Sequence, residues 1–330
     1  MKRIISLLLS VCLCVSLCAL LTACGSSVKY EYKLSDDGSY YIITKINITE
    51  KTETLDIPAE YEGKPVKALT SFDRWTALVQ VKNNHESKLK SVNIPNSIRF
   101  IDGLYINEGC TVTFGDYTGK LVSTSTFKMP EKGDYNNLQD YTFYDFSIIL
   151  LNCNWYAGSG SICFPENVAL FQSSDNGTGN SVAFDTVAFA GKLAPYQKGD
   201  GSNGWDDVTV PFFYDFSRCK TLQIPEVAAG KGYIDLGMYV AGSDYSTDRN
   251  LENLILSKSV NKIKFISSGV PQKTVSMYWE EVCTPTNTFS DDITRQMQDE
   301  YFKTYVYSET QPTDTSVQYW HYVDGVPTSW

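Results

Sequence analysis

The residue with the most definite chemistry is Cys24. It closes the string Leu21-Thr22-Ala23-Cys24, after a basic start (Lys2, Arg3) and an apolar run from Ile4 to Leu21. A basic start, an apolar run and small residues ahead of a cleavage point are the order of a secretory signal peptide. At that point the thiol is the only side chain that can be alkylated to a thioether-linked diacylglycerol. Gly25-Ser26-Ser27 follows as a small polar tether. Two other readings stay open: a plain signal peptide, and an uncleaved anchor, because the run touches the lower limit of a membrane span.

Other reactive arrangements are thin. The chain has two histidines, His85 in a polar loop and His321 between Trp320 and Tyr322. A His-based triad or a zinc site would need partners that the sequence does not advertise. Gly115-Asp-Tyr-Thr-Gly119-Lys120 is one residue short of a phosphate loop, and Leu121 stands where a Mg²⁺-binding hydroxyl belongs, so it reads as a turn between strands. Asp175-Asn-Gly-Thr-Gly-Asn180 and Asp200-Gly-Ser-Asn-Gly-Trp-Asp206-Asp207 have the composition of calcium loops without their spacing. They read as solvated loops, with calcium left open. Trp205-Asp206-Asp207 and Trp279-Glu280-Glu281 set acids beside tryptophan. Glycoside hydrolysis needs two acids opposed across a sugar, and neighbours in one strand point to opposite faces. The expectation is a protein with no catalytic residues, no metal and no cofactor.

Composition narrows the partners. The chain has 28 basic and 38 acidic side chains, a net charge of −10, and loss of Lys2 and Arg3 with a cleaved signal makes it more negative. An acidic surface argues against nucleic acid and anionic lipid. Beyond Cys24 the longest apolar stretch, Phe146 to Leu151, is far too short to span a bilayer. Cys110, Cys153, Cys163, Cys219 and Cys283 are odd in number and widely spaced. They read as small buried apolar residues and not as a disulfide framework.

The elements that must position any site are strands. Residues 30–49 alternate on both sides of Asp37-Gly38, a hairpin signal. A short pattern then recurs, two apolar residues separated by one and followed by proline: Leu55-Asp-Ile57-Pro58, Val92-Asn-Ile94-Pro95, Phe127-Lys-Met129-Pro130, Ile162-Cys-Phe164-Pro165 and Leu222-Gln-Ile224-Pro225. Leu254-Ile-Leu256-Ser257 is a sixth copy, and Val208-Thr-Val210-Pro211 fits an insertion. The spacing puts both apolar side chains on one face of a strand, and proline ends it. The first four prolines fall 37, 35 and 35 residues apart, which points to a repeat. Leu89-x-x-Val92-x-Ile94 and Leu251-x-x-Leu254-x-Leu256 match the strand half of a leucine-rich repeat. An ordinary β-sandwich with Pro-terminated strands is the plainer alternative. Asp291 to Lys303, with Ser290 as N-cap, is the best candidate helix. The tail reads as a hairpin turned at Asp324-Gly325.

Two resemblances extend this reading. The string ending in Cys24 resembles the lipobox of bacterial lipoproteins. This implies that Cys24 becomes the first residue, carries acyl chains and holds the protein at the outer face of the cell membrane or cell surface. Tyr61-Glu-Gly63-Lys64-Pro65-Val66-Lys67-Ala68-Leu69, the unit Leu89 to Ile101 and the tail Val306 to Trp330 resemble the BspA-like class of bacterial leucine-rich repeats. The stretch from about 100 to 250 departs from that pattern and lacks its usual second half-repeat. The resemblance implies a mainly β fold: a leucine-rich-repeat-like β-solenoid of diverged repeats with an N-terminal hairpin cap and a C-terminal β-hairpin tail. The domains expected are a lipoprotein signal peptide over 1–23, a lipidated tether over 24–29 and a hairpin cap over 30–50. Repeats follow over 51–270, with an insertion within 130–220 left open, and then a C-terminal cap with short helix and hairpin over 271–330.

The function expected is binding at the cell exterior, adhesion or protein–protein interaction, with an unknown protein or glycan as partner and the membrane reached through the lipid. The alternative is a carbohydrate-binding surface lipoprotein, for which 22 Tyr, 16 Phe and 6 Trp could stack on sugars or pack between repeats. An insertion-borne hydrolase is third. In stacked repeats the residue between the two apolar positions points outward. That gives a ladder of Asp56, Asn93, Lys128, Cys163, Gln223 and Ile255, of which Asp56, Asn93, Lys128 and Gln223 are the candidate ligand-binding face. At about 4.8 Å per parallel strand, six rungs span roughly 24 Å, which suits a chain better than a small metabolite.

Overall fold

Parallel strands that share one apolar interior organise the chain. The structure is a computed structural model. It describes residues 28–71, 77–82, 87–106, 109–119, 141–142, 146–156, 158–171, 182–193, 197–198, 216, 218–226, 232–235, 250–257, 260–264, 274–280 and 301–330. The signal segment, Cys24, Lys128, His85, Cys283, Val208 to Pro211 and both calcium-like loops lie outside the described residues.

The described residues are mainly β. In chain order the strands are β1 (Lys29–Leu34), β2 (Tyr41–Ile48), β3 (Thr54–Asp56), β4 (Glu60–Tyr61), β5 (Lys64–Thr70), β6 (Val79–Val81), β7 (Ser91–Ile94), β8 (Phe100–Asp102) and β9 (Tyr105–Ile106). Next come β10 (Thr111–Phe114), β11 (Tyr141–Thr142), β12 (Ile148–Leu151), β13 (Asn154–Tyr156), β14 (Ser161–Phe164), β15 (Val168–Phe171), β16 (Val182–Ala183), β17 (Thr186–Phe189), β18 (Gln197–Lys198) and β19 (Thr221–Ile224). The last are β20 (Gly232–Asp235), β21 (Asn253–Leu256), β22 (Val260–Lys264), β23 (Val275–Trp279), β24 (Phe302–Tyr307), β25 (Tyr319–Val323) and β26 (Val326–Ser329).

The chain meets its sheets in a repeating order. One sheet runs β1-β2-β5-β8-β12-β15, with β4 on β5 and β6 on β2. A second runs β3-β7-β10, a third β9-β13-β16, and a fourth runs from β14 through β17, β19, β21, β23, β24 and β25 to β26. Strands β11 with β18, and β20 with β22, form two-stranded pairs. From β7 the path goes to the first sheet (β8), the third (β9) and back to the second (β10). From β12 it goes to the third (β13), the fourth (β14), then round again through β15, β16 and β17. The second and fourth sheets thus hold the same place in the cycle. Corners between the first and third sheets need a left-handed residue, supplied by Gly103 (φ 75°) and Asn152 (φ 50°). Glycine takes that conformation without steric cost, and asparagine tolerates it. Asn152 also donates to Asp102 at 3.2 Å, tying one corner to the strand beside it.

Each sheet contributes a column of side chains to one core. On the second and fourth sheets the registers align Leu55 with Val92 and Val112, and Ile162 with Val187, Leu222, Leu254 and Met277. All are buried. The first sheet opposes them with Ile43, Leu69, Ile101, Leu150 and Leu170. The third adds Ile106, Trp155 and Val182. Strand β12 is buried on both faces, which explains its unbroken Ile-Ile-Leu-Leu sequence.

Both hairpins form where the sequence places them. Strands β1 and β2 pair antiparallel around Gly38 (φ 69°). Asp37 organises that loop: its carboxylate accepts from the Ser39 N–H at 2.9 Å and from the hydroxyls of Ser35 and Ser39 at 2.7 Å each. Strands β25 and β26 close on Asp324 (φ 51°) and Gly325 (φ 79°), both left-handed as a two-residue turn requires. In this register Tyr322 and Pro327 face each other as a pair that exchanges no ladder bonds. The missing N–H of Pro327 therefore lies on the side away from β25, which is the sheet edge among the described residues, where it blunts strand addition.

The structure corrects two expectations. Phe302 and Lys303, assigned to the candidate helix, begin strand β24, which pairs in parallel with β23; residues 291–300 lie outside the described residues. Neighbouring strands are also closer in sequence than the prolines imply, because strands without a following proline intervene. Val112 pairs with Val92, twenty residues earlier, and Val187 lies between Ile162 and Leu222.

Ile94 is 1% exposed and Asn93 lies half-buried on the opposite side of the strand. Ile94→Ala is expected to cost about 2–5 kcal/mol in denaturant melts. Asn93→Ala should cost about 1 kcal/mol or less. Equal costs would mean that the strand faces the other way. The Asp37 carboxyl is held down to about 2 by the Ser39 N–H first and the two serine hydroxyls next. Its folded value lies below the ordinary 3.8, so its contribution is complete above that value and fades as pH falls through about 2. A carbon NMR titration should place the Asp37 midpoint near 2, and a midpoint near 4 would contradict the loop geometry.

Candidate outer face and cleft

Outward-pointing residues of the second and fourth sheets form two rows. The first is Thr54, Ser91 and Thr111, then Ser161, Thr186, Thr221, Asn253 and Ser276. The second contains Asp56, Asn93 and Thr113, then Cys163, Ala188, Gln223, Ile255 and Tyr278. Side chains bridge neighbouring rungs: Ser91 Oγ donates to Thr54 Oγ1 at 3.0 Å, Asn93 Nδ2 to Asp56 Oδ1 at 2.6 Å, and Asn253 Nδ2 to Thr221 Oγ1 at 3.3 Å. Small β-branched and amide side chains suit such rows, because cross-strand contacts stabilise the sheet beneath them.

Of the ladder residues read from sequence, Asp56 and Asn93 are neighbours and hydrogen-bonded. Gln223 and Ile255 are neighbours on the fourth sheet, and Cys163 lies on its first strand next to Ala188. Ile255 corrects the expectation of a continuous open face: it is 4% exposed beneath a second apolar cluster with Tyr305 and Trp320. In that cluster the Tyr278 ring stacks on Tyr305 at 5.0 Å and meets Trp320 edge-on at 5.4 Å. Trp320 is fully buried and its Nε1 donates to the Trp279 carbonyl at 2.8 Å. It anchors the C-terminal hairpin and offers no open ring to a ligand. His321 lies stacked on Trp330, 3.7 Å between centroids. Glu280 accepts from the Tyr322 hydroxyl at 3.3 Å.

The rows are interrupted between β10 and β14. Among the described residues no ladder joins these two strands, although the Phe114 and Phe164 rings are as close, at 5.8 Å, as Phe164 and Phe189 on the paired strands β14 and β17, at 5.7 Å. A cleft of about 350 Å³ lies over them on the outer side. Beneath it, on the core side, the Phe114 ring lies 5.8 Å from Phe164 and 6.0 Å from Trp155. The lip is the segment Gly115 to Thr118, read from sequence as a turn. Gly115 is required because a Cβ would come within 2.8 Å of the Asn96 nitrogen. Tyr117 pins the lip from below, its buried hydroxyl 2.8 and 2.9 Å from the carbonyls of Pro95 and Ile98, and burial pushes its pKa upward. Glu166 crosses from the β14 side, where its Oε1 accepts from the Gly119 N–H at 2.6 Å. Thr113, Ser161 and Cys163 line the walls.

The sequence reading missed the rungs Val112-Thr-Phe114, Val187-Ala-Phe189 and Met277-Tyr-Trp279, because Gly115, Ala190 and Glu280 stand where proline was sought. The apolar alternation alone would have found them. The cysteines divide. Cys110, Cys153 and Cys219 are buried as reduced thiols, as expected, but Cys163 is exposed because it occupies the outward position of its strand. Among the described residues no group of three or more His, Cys, Asp or Glu side chains is arranged to hold a metal ion. Among them, too, no helix is long and apolar enough to cross a membrane.

Native-state maleimide labelling followed by peptide mapping should modify Cys163 ahead of Cys110, Cys153 and Cys219. Burial raises the Cys163 thiol pKa, so its labelling should accelerate well into alkaline pH. Burial pushes Cys110 up to about 11. Labelling of Cys110 as fast as Cys163 would place the start of β10 at the surface and contradict the facing. Searches of family models, curated proteins and solved structures return no match for this chain.

Proposed function

We propose that this protein is exported, lipidated at Cys24 and held at the outer surface of a bacterial cell as a binding protein. In this reading the parallel sheets are a diverged leucine-rich-repeat-like solenoid with a hairpin at each end, and its outer rows meet an adhesion or protein partner. The observation that carries the reading is the register of Leu55, Val92 and Val112 and of Ile162 through Met277. It lines up the recurring short motif in two runs of parallel strands, β3-β7-β10 and β14 through β23. Stacked strands of this kind offer an extended surface to large ligands. The closure of the rows at Ile255 by Tyr278, Tyr305 and Trp320 narrows the candidate face to the stretch from Asp56 to Gln223.

A second reading, carbohydrate binding, is favoured by the cleft between β10 and β14. In this reading the Thr113 and Ser161 hydroxyls and the Glu166 carboxylate around it would bond sugar hydroxyls.

Anchoring is tested by expression in a bacterium with a lipoprotein pathway. The wild-type protein should partition into detergent and carry a mass increment on Cys24. Cys24→Ala should lose the acylation and be released or left unprocessed. A mature wild-type protein with an unmodified Cys24 would overturn the anchoring. For the face, charged substitutions at Asn93 and Gln223 should weaken partner capture without lowering the melting temperature. Unchanged capture in both would move the site elsewhere.

A further inference from the structure

We propose that Tyr32 and Tyr61 form an oxidative cross-linking site, where a haem peroxidase with hydrogen peroxide joins the two rings as dityrosine and clamps β1 to β4.

The sequence sets the cluster that holds them. Side chains alternate along β1, so Tyr30 and Tyr32 lie on one face. Tyr61 opens the turn Tyr61-Glu62-Gly63-Lys64 between β4 and β5. Glu62 (φ 48°) and Gly63 (φ 74°) are both left-handed there, as a two-residue hairpin turn requires. Three hydrogen bonds fix the surroundings. The Tyr30 hydroxyl donates to the Asp56 carbonyl at 2.5 Å, the Tyr41 hydroxyl to Glu62 Oε2 at 2.7 Å, and Lys64 Nζ to the Gly38 carbonyl at 2.6 Å. The Tyr32 and Tyr61 rings stack with centroids 3.8 Å apart and planes 5° from parallel. Tyr41 meets Tyr61 edge-on at 5.0 Å and Tyr32 at 6.1 Å.

Packing alone does not ask for this arrangement. Aromatic pairs prefer offset or edge-to-face contacts, yet these rings lie nearly over one another. A carbon beside one hydroxyl is then close to a carbon beside the other, whichever way the rings are turned. Holding two reacting groups in contact replaces an encounter with a step inside one molecule. The pair is also open, since Tyr61 is 37% exposed. The other stacked tyrosines, Tyr278 and Tyr305, are wider apart at 5.0 Å and tilted by 21°, and Tyr305 is buried beside Trp320.

Burial raises the Tyr32 pKa and the Glu62 bond raises that of Tyr41, so both phenols are protonated in neutral water and each electron must leave with a proton. Tyr41 has an acceptor in place, the Glu62 carboxylate. It loses the first electron, takes one from Tyr61 and recovers its proton from Glu62, while the Tyr61 proton passes to water. A second oxidation gives the Tyr32 radical. The two radicals join through ring carbons beside their hydroxyls, and the hydrogens on those carbons move to the oxygens, restoring both phenols. Hydrogen peroxide takes up the two electrons and two protons and leaves as two waters. The product ties β1, the edge strand of its sheet, to the β4–β5 hairpin.

The test oxidises the full chain, purified in detergent and dilute, with a haem peroxidase and hydrogen peroxide. Dityrosine fluorescence should rise, the intact mass should fall by two hydrogens, and peptide mapping should place the link between Tyr32 and Tyr61. Tyr61→Phe, which keeps the ring, should abolish that product. Tyr32→Phe should do the same and replaces it if Tyr61→Phe lowers the melting temperature. Tyr105→Phe should leave the product unchanged, although Tyr105 is 48% exposed. Glu62→Gln should slow the reaction severalfold, and equal rates would overturn the role given to Tyr41. The cross-linked protein should melt at a higher temperature, because the link constrains the unfolded chain. No dityrosine, a link only between chains, or a link at Tyr278 and Tyr305 ahead of Tyr32 and Tyr61 would overturn the proposal. None of these outcomes bears on the anchoring at Cys24, which the reaction does not need.

Discussion

The register of the inward apolar columns is the constraint on which everything else depends. A single three- or four-residue strand such as Thr54–Asp56 or Ser91–Ile94 has almost no stability of its own. It persists because the next strand covers its flank and the opposite sheet covers its face. Leu55, Val92 and Val112 share one column, and Ile43, Leu69, Ile101, Leu150 and Leu170 close the core from the other side. Each buried side chain of this size contributes about 1.5–3 kcal/mol relative to exposure. That gain is realised only when several strands assemble around the shared core.

The outer face inherits its order from that register. Because side chains alternate across a strand, fixing Val92 inward fixes Ser91 and Asn93 outward, and the same holds at every rung. The surface rows are therefore a by-product of the core. Chemistry can vary on them at little cost, as the sequence Asp56, Asn93, Thr113, Cys163, Ala188, Gln223, Ile255, Tyr278 shows. Two places depart from the pattern. At Ile255 the outward side is buried again under aromatic rings, which locks β23 to β25 and the terminal hairpin together. Between β10 and β14 no ladder forms among the described residues, and a small cleft lies on the outer side.

Much of this was legible in the sequence, for definable reasons. The two hairpins were readable because Gly38, and Asp324 with Gly325, take left-handed backbone that few residues accept. The inward facing of Leu55, Val92, Ile162, Leu222 and Leu254 follows from alternation, which is a property of the strand alone. The missed rungs, β10, β17 and β23, keep the alternation but not the proline, and proline is only one way to end a strand. The burial of Ile255 depends on Trp320, 65 residues later in the chain, and no local pattern reports such a contact. The cleft was invisible for the same reason: Gly115 to Gly119 reads as a turn, and its meeting with Glu166 is a tertiary event.

The central claim is that Thr54–Asp56, Ser91–Ile94 and Thr111–Phe114 stand side by side in one parallel register, and paired cysteines test it most directly. Directly opposed residues on adjacent strands are within disulfide reach, whereas a partner two residues along is about 8 Å away and is not. With Cys163 replaced by serine, Thr54→Cys combined with Ser91→Cys should form a disulfide on mild oxidation, mapped by mass spectrometry. Thr54→Cys combined with Asn93→Cys should remain reduced. Cross-linking of the second pair, or of both equally, would contradict the register and with it the rows, the core columns and the cleft that depend on them.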